Sequence, residues 1–209
     1  MFPFFMKRRY RYNKKLLKLW NNYIFKEFGA VKELLRERSS TNQPIHIAVI
    51  EPTPEKNYYT LVTLGMGTYK MARCPRNMPN RLELAIRLPA DWEMDNIREA
   101  WHWPIRWLRL LARVPQQGKT RFEHGHTMDI CRCLTADSKI RGFAFHSPAE
   151  ELPMMELSKG DKFGVLCVIP IYEEELTYAT DCDTEKLFQR MDEATLYGPV
   201  DMERKNTCL

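Results

Sequence analysis

Residues 58–67, with the sequence YYTLVTLGMG, decide the fold because they carry a β-strand into a glycine-methionine-glycine turn. Their β-branched and aromatic residues predict a strand over 58–66. Gly-x-Gly turns also open phosphate-binding loops, but this turn lacks the third glycine of a dinucleotide fingerprint and the Lys-Ser/Thr pair of a P-loop. We therefore predict that Gly65 and Gly67 end the strand with positive φ, and that Met66 and Met71 fill the core.

Strand patterns flank this stretch on both sides. RLELAIRL (81–88) alternates apolar residues with Glu83, Ala85 and Arg87, which predicts a half-buried strand. IHIAVIE (45–51) is separated from the opening strand by a proline-containing turn, so that we predict a hairpin and a sheet of three antiparallel strands. For residues 30–40 the pattern permits further helical turns, and an edge strand is favoured. More strands are predicted at 126–134, 139–145 and 162–171.

Three segments have helical patterns. From Asn13 to Phe28 the apolar residues recur at spacings of three and four, and Gly29 is a natural stop. A central helix is predicted to have Pro104 in its first turn and Pro115 beyond its end. A last helix is predicted over 184–194.

Two faces of the central helix are distinguished by residue type. The apolar residues at 105, 108, 111 and 112 are predicted to face the sheet. Arg106, Arg109 and Arg113 are predicted to form a solvated outer stripe, with a docking surface for an acidic partner as the alternative.

These elements predict an α+β fold, with a mainly antiparallel sheet packed by a long N-terminal helix, a central helix and a C-terminal helix. The 209 residues are enough to bury one core. We expect residues 1–38, a basic tail and amphipathic helix, to belong to the same unit as a single domain over 39–209.

The charge distribution limits the classes of partner. The formal net charge is +5, but residues 1–38 carry +8 and residues 39–209 carry −3. Nucleic-acid binding therefore depends on the basic residues 7–18 alone, and we take it as a less favoured alternative to a basic tail followed by a docking helix. No apolar run approaches the roughly 20 residues of a membrane span.

Localisation is predicted from the N-terminus and the cysteines. The apolar start, MFPFFM, is too short for a signal peptide, so we expect no export. The six cysteines lack the dense spacing of a secreted disulfide scaffold, which favours a reducing cytoplasm.

One segment, HGHTMDICRC (124–133), could carry metal chemistry. His124, His126, Cys131 and Cys133 are all good zinc ligands, and a metal-dependent hydrolase at this segment is an alternative function. Their spacing is not that of a zinc knuckle, and in one continuous strand the histidines face away from the cysteines. We therefore favour two partly buried cysteines and two strand histidines, with no resident metal, no cofactor and no catalytic residues.

Candidate partner-binding residues come from the aromatic and acidic clusters. Four tryptophans lie at 92–107, and Trp103 and Trp107 are predicted to be core. Of the other two, Trp92 and Trp101, we take Trp101 as the candidate contact residue. The full set of candidates is Trp101, His126, Glu173, Glu174 and Glu175.

An ordered series of short motifs resembles the suppressor of fused family in its short bacterial form. The matching residues span roughly 40–180. They are YYTLVTLGMG (58–67), Leu88-Pro89 with Asp91-Trp92, Trp103-Pro104, Leu111-Ala112-Arg113 with Pro115, Gly125-His126-Thr127, Pro170 and the glutamates before Leu176. The sequence departs from the pattern at Pro44, at His46 in place of an acidic residue, and at His124 in place of an aromatic residue.

The resemblance implies a non-enzymatic protein-binding module. Eukaryotic members hold zinc-finger transcription factors through an extended peptide, with the help of an additional C-terminal domain, which this chain is expected to lack. Bacterial members are thought to include immunity proteins that neutralise toxins. A protein partner, either a toxin domain or an extended peptide, is therefore expected.

Overall fold

The computed structural model describes residues 13–38, 43–136, 138–148, 152–158 and 160–209. Within these ranges the chain forms helices on both faces of one sheet. The strands are β1 (Glu33–Leu35), β2 (His46–Ile50), β3 (Tyr58–Leu64), β4 (Arg81–Pro89), β5 (Thr127–Asp129), β6 (Ile140–His146), β7 (Met155–Ser158) and β8 (Asp161–Tyr172). The helices are α1 (Lys14–Glu27), α2 (Glu99–Leu111), α3 (Val114–Gly118), α4 (Glu173–Asp181), α5 (Thr184–Arg190) and α6 (Glu193–Tyr197).

The sheet has the strand order β1-β2-β3-β4-β8-β6-β5, and β7 pairs with the first part of β8. The predicted hairpin β2–β3, the third strand β4 and the edge strand β1 are confirmed, all in antiparallel pairs. The central pair β4–β8 is parallel. The predicted α+β class with a mainly antiparallel sheet is therefore confirmed.

Helix α1 packs on one face of the sheet. The Asn13 side chain caps its first turn by accepting a hydrogen bond from the Leu16 N–H. Gly29 ends it at φ 108°, as the sequence predicts. Its buried residues and the residue that follows it are Trp20, Tyr23, Ile24 and Phe28. They pack against side chains of β2, β3 and β8, namely Ala48, Ile50, Val62, Leu64, Phe163, Val165 and Cys167. None of the helices in the described ranges is long and apolar enough to cross a membrane.

Strand β4 is buried on both faces, so the prediction of a half-buried strand was wrong. Glu83 and Ala85 are fully buried and Arg87 is 9% exposed. The reason is that helices cover both sides of the sheet: Leu84 and Ile86 face α2, while Ala85 faces α1. The polar residues Glu83 and Arg87, which alternate with the apolar residues of β4, are therefore also inside the protein.

Helix α2 covers the opposite face of the sheet from α1. It begins at Glu99, so Pro104 lies inside it and not in its first turn as predicted. Trp103 is fully buried and Trp107 is 8% exposed, which confirms their predicted core positions. Both indole rings pack against Phe143 of β6, with ring centroids 6.5 and 5.5 Å away.

The predicted solvated arginine stripe was wrong for two of its three members. Arg109 donates hydrogen bonds to the carbonyls of Leu35 and Ile45, and burial lowers its pKa. Arg113 forms an ion pair with Glu37. These guanidinium groups join α2 to the edge of the sheet, because arginine can reach past the apolar face to unpaired carbonyls.

The C-terminal region differs from the single predicted helix over 184–194. An additional helix, α4, follows β8 directly, and three glutamates in its first turn suit the positive end of the helix dipole. The predicted helix is two helices, α5 and α6. The break occurs because the Asp192 side chain accepts a hydrogen bond from the Thr195 N–H and so caps a new helix.

The Gly-Met-Gly turn after β3 encloses the carboxylate of Glu83. The backbone N–H groups of Gly65, Met66 and Gly67 donate to it at 2.9, 3.2 and 3.1 Å, and the Thr63 hydroxyl also donates to it. Successive N–H groups in such a turn form an anion-binding nest. The turn therefore binds an anion, and the anion belongs to the neighbouring strand.

Gly65 is the glycine that this turn requires. Its φ is 143°, and a Cβ at this position would lie 2.3 Å from the Pro44 carbonyl oxygen. The expected positive φ is found at Gly65 but not at Gly67. Met66 and Met71 are 2% and 4% exposed, which confirms that they fill the core.

A second buried carboxylate, Glu175 of α4, anchors the C-terminal segment. It accepts hydrogen bonds from the Arg204 guanidinium, from the Tyr172 N–H, and from the N–H and hydroxyl of Thr207. Burial alone would raise the pKa of Glu175, but Arg204 and the two backbone donors outweigh burial and hold that pKa below its usual value.

Replacing Glu83 by Gln should destabilise the protein by about 3 kcal/mol, because an amide has one acceptor oxygen and would place its own donors against the N–H groups of the turn. Urea unfolding of E83Q and wild type measures the difference. The exposed Glu156→Gln is the control and should change stability by less than about 0.5 kcal/mol. An equally small effect of E83Q would show that the enclosed carboxylate does not stabilise the turn.

Replacing Glu175 by Gln should cost about 2 kcal/mol at neutral pH, since it removes charge-assisted hydrogen bonds. The pKa of Glu175 is lower in the folded than in the unfolded chain. Its contribution is therefore present above the unfolded pKa, about 4.3, and is lost as the pH falls through the lower folded pKa. Urea unfolding at several pH values should show the gap between E175Q and wild type closing in acid. The neighbouring Glu174→Gln is the control; a gap independent of pH would contradict the prediction.

Candidate functional site

A groove lies on β8 between its two antiparallel partners. Strand β6 is paired with β8 as far as His146 opposite Cys167, and β7 pairs with it again from Met155 opposite Phe163. The described residues that connect β6 to β7, which are 147–148 and 152–154, belong to neither strand. The groove opens at this place and has a volume of about 430 Å³.

The groove is lined mainly by apolar side chains from four separate parts of the chain. These lining residues are Asn77, Met78, Pro79, Leu82, Phe122, Glu123, His124, Ser147, Leu152, Met154, Gly164, Val165 and Leu166. Phe122 is held in place by stacking on Phe145, with ring centroids 4.2 Å apart. Met154 is 41% exposed, so that a large flexible apolar side chain lies open at the groove.

The predicted contact residue His126 lies next to this groove. Its Nε2 is 2.9 Å from Oε1 of Glu123, a residue that lines the groove. Arg121 contacts the same carboxylate. The Arg121 hydrogen bond, assisted by His126, holds the pKa of the Glu123 carboxyl below its usual value. The rim of the groove therefore carries a carboxylate that is fixed between Arg121 and His126.

His124 lies at the same rim and is held from two sides. Its Nδ1 accepts a hydrogen bond from the Ser147 N–H at 2.9 Å, so the proton of the neutral ring is on Nε2, which contacts Glu185 of α5. The ring packs on Phe188 and His146. These contacts give His124 a structural role, because they join β6 and α5 to the rim of the groove.

The two cysteines of the predicted metal segment lie elsewhere. The expected strand over 126–134 stops at Asp129, because its side chain accepts the Cys131 N–H and Cys131 turns to φ 58°. Cys131 and Cys133 are exposed, so their predicted partial burial was wrong. Within the described ranges, no group of three or more His, Cys, Asp or Glu side chains could hold a metal ion. The structure therefore gives the hydrolase alternative no support.

Trp101 lies in the first turn of α2. It is partly buried, and its ring meets that of Trp92 edge to face at a centroid distance of 5.0 Å. The Trp92 indole N–H donates to the Trp101 carbonyl. Trp101 is not among the residues that line the groove, so its predicted contact role concerns a different surface.

The three predicted glutamates have different surroundings. Glu173 and Glu174 are exposed; Glu173 pairs with Arg141, and Glu174 accepts a hydrogen bond from Asn206 at 2.7 Å. Glu175 is fully buried and holds the C-terminal segment. The first two can reach a partner directly, whereas Glu175 positions the helix that carries them.

The apolar groove residues were not predicted from the sequence. Pro79, Phe122 and Met154 are far apart in the chain, and none of them belongs to a polar motif. The only nearby signal was Gly125-His126-Thr127, which marks the rim. Hydrophobic residues that form a core and those that line a groove look the same in a sequence.

Comparisons with known proteins agree with this fold. The family model described as suppressor of fused protein (SUFU) matches residues 41–205. An uncharacterized protein of Ureaplasma parvum is 24% identical over 201 residues, which cover 94% of this chain and 98% of that protein.

Solved structures share the fold at low identity. A suppressor of fused homologue from Neisseria gonorrhoeae is 20% identical with a TM-score of 0.65, covering 94% of this chain and 96% of that one. A chain in the crystal structure of a Sufu–Fu complex has a TM-score of 0.67 at 13% identity, with 91% of both chains covered. Drosophila Suppressor of Fused has a TM-score of 0.63 at 12% identity, and the match covers 92% of this chain but 50% of that one. Since the family model matches most of its length, the chain belongs to the suppressor of fused family.

Proposed function

We propose that this protein is a non-enzymatic module that binds another protein, and that the groove on β8 receives an extended segment of the partner. The observation that carries the proposal is the open apolar groove of about 430 Å³ beside the family motif Gly125-His126-Thr127. The solved Sufu–Fu complex supports it by analogy, because a protein of the same fold is seen there with a protein partner.

The chemistry of the groove suits one large apolar side chain with extended backbone on either side. Leu82, Val165 and Leu166 give an apolar floor, and burial of an apolar side chain there contributes about 1.5–3 kcal/mol. Apolar anchors in such pockets are the usual energetic centre of an interface.

The polar side chains around the groove support binding rather than catalysis. His126 and Arg121 are engaged with Glu123, and His124 is engaged with Ser147 and Glu185. These pairs fix the rim, and Met154 is an exposed apolar side chain at the groove. A rigid rim around an apolar floor lowers the ordering cost of binding.

The proposal also has finer parts. We propose that the partner is a toxin domain or an extended peptide, as the family resemblance suggests, and that binding takes place in a reducing cytoplasm. Trp101, Glu173 and Glu174 are proposed contacts outside the groove.

Residues 1–38 are proposed to share one folding unit with residues 39–209, because Trp20 and Ile24 of α1 are buried against the sheet. The basic residues 7–12, part of the nucleic-acid alternative, lie outside the described ranges.

The test is an affinity pull-down of tagged protein from its native cells at moderate salt, with mass spectrometry of the bound proteins. Met154→Arg places a charge at the groove and should reduce the recovered partner at least about tenfold, a cost of about 1.4 kcal/mol. Ile97→Arg is the matched control, since Ile97 is 89% exposed and does not line the groove. I97R should retain the partner as wild type does.

Two results would contradict the proposal. A partner retained equally by M154R and wild type would exclude the groove as its binding site, and alanine variants of Trp101, His126 and Glu174 would then locate the surface. Recovery of nucleic acid alone, lost on deletion of residues 7–18, would instead support the nucleic-acid alternative.

A further inference from the structure

We propose that the outward side of α1 docks the protein on an anionic membrane surface, with lysines on the lipid phosphates and Phe25 in the headgroup layer. The inward side of α1, at Trp20, Tyr23 and Ile24, is buried against the sheet. We call the outward side the α1 outer face. Its exposed residues are Lys14, Lys15, Leu17, Lys18, Asn21, Asn22, Phe25 and Lys26. None of them lines the groove.

Helical spacing places an exposed aromatic ring in line with the lysines. Lys14, Lys18 and Phe25 are four and seven residues apart, which puts them on one stripe of α1, about 16 Å long. Phe25 is 68% exposed, and Leu17, at the margin of the same face, is 37% exposed. Lysine stems can lie along a membrane surface with the ammonium group at a phosphate, while an apolar ring beside them leaves the water.

The positive charge of the α1 outer face has no acidic counterpart in its own segment. Residues 1–26 contain eight Lys and Arg residues and no Asp or Glu. Within the part of the chain that the structure describes, Lys14, Lys15 and Lys18 have no acidic partner. A cluster of about four to eight basic residues on an amphipathic helix is typical of binding to anionic lipids.

The acidic residues closest to α1 are directed elsewhere. Glu27 pairs with Lys26 at 2.8 Å, and its side chain is 12% exposed. Strand β7 packs beside α1, but its Glu156 alternates with Met155 and Leu157, which pack on the buried cluster of α1. Alternate side chains of a strand point to opposite faces, so the Glu156 carboxylate points away from α1.

The stability of the helix does not account for these lysines. Lys14 and Lys15 lie in the first turn of α1, which contains no acidic residue. The N-terminus is the positive end of the helix dipole, so cations there destabilise the helix. Binding of an external anion removes this conflict, because the anion interacts favourably with both the lysines and the dipole.

The apolar residues favour a lipid surface over a nucleic acid. Lysines bind the phosphates of both, but the aliphatic Leu17 has no aromatic face on which a base could stack. Residues 1–6, which lie outside the described ranges, contain three phenylalanines and precede four basic residues within 7–11. Phe and Leu side chains close to Lys and Arg are typical of segments that bind the membrane interface.

The test is co-sedimentation of the full chain with lipid vesicles. We expect binding to vesicles of equal parts phosphatidylglycerol and phosphatidylcholine, and none to phosphatidylcholine alone. The double variant Lys14→Gln/Lys18→Gln should weaken binding at least about tenfold, because two cations leave the surface. Phe25→Ala should weaken it about fivefold, because an apolar contact with lipid is lost. All three residues are exposed, so the fold should tolerate these changes.

Matched controls change exposed residues outside α1. Arg98→Gln/Lys139→Gln also removes two cations, and Ile97→Ala also shortens an exposed apolar side chain. Both should bind vesicles as wild type does. The proposal is wrong if neutral vesicles bind equally well, if K14Q/K18Q binds as tightly as R98Q/K139Q, or if F25A binds as tightly as I97A.

A parallel titration with a single-stranded RNA oligonucleotide separates the two sources of phosphate. Binding of RNA without binding of anionic vesicles would overturn the proposal in favour of the nucleic-acid alternative. Since the variants lie outside the groove, the result is independent of the pull-down with M154R.

Discussion

The fold depends on a buried carboxylate that is satisfied by the backbone of an adjacent turn. Glu83 lies in the central strand β4, where burying a charge costs several kcal/mol unless donors surround it. The turn at Gly65–Gly67 supplies those donors, and the Gln43 side chain in turn donates to the Gly65 carbonyl at 3.1 Å. The interaction fixes the ends of β2, β3 and β4 relative to one another, and a glycine is required at position 65 because of the approach of Pro44.

Much of the architecture followed from local patterns. The hairpin β2–β3, strand β4 and helix α1 have strong periodicity, and the cap at Asn13 and the stop at Gly29 agree with it. Errors arose where tertiary contacts decide the outcome. Polar residues of β4 are buried because a second helical layer covers them. Arg109 reaches the carbonyls of Leu35 in β1 and of Ile45, just before β2, from a helix whose sequence pattern is amphipathic. Periodicity cannot show what lies above the polar face of an element.

The groove was visible in the sequence only in part. Gly125-His126-Thr127 marks the rim of the groove, but the apolar floor comes from residues whose proximity depends on the pairing of β8 with three other strands. A binding site formed by parts of one continuous segment can be predicted, whereas one formed by the packing of layers cannot.

The parallel pairing of β4 with β8 also has a consequence for how the chain folds. The antiparallel pairs β2–β3 and β3–β4 close short loops, but Arg81 is paired with Phe163, far along the chain. Closing that long loop carries a large entropic cost before its contacts form, which slows folding. The hairpins on either side should therefore form first, and the sheet should be completed late by the docking of β8 on β4.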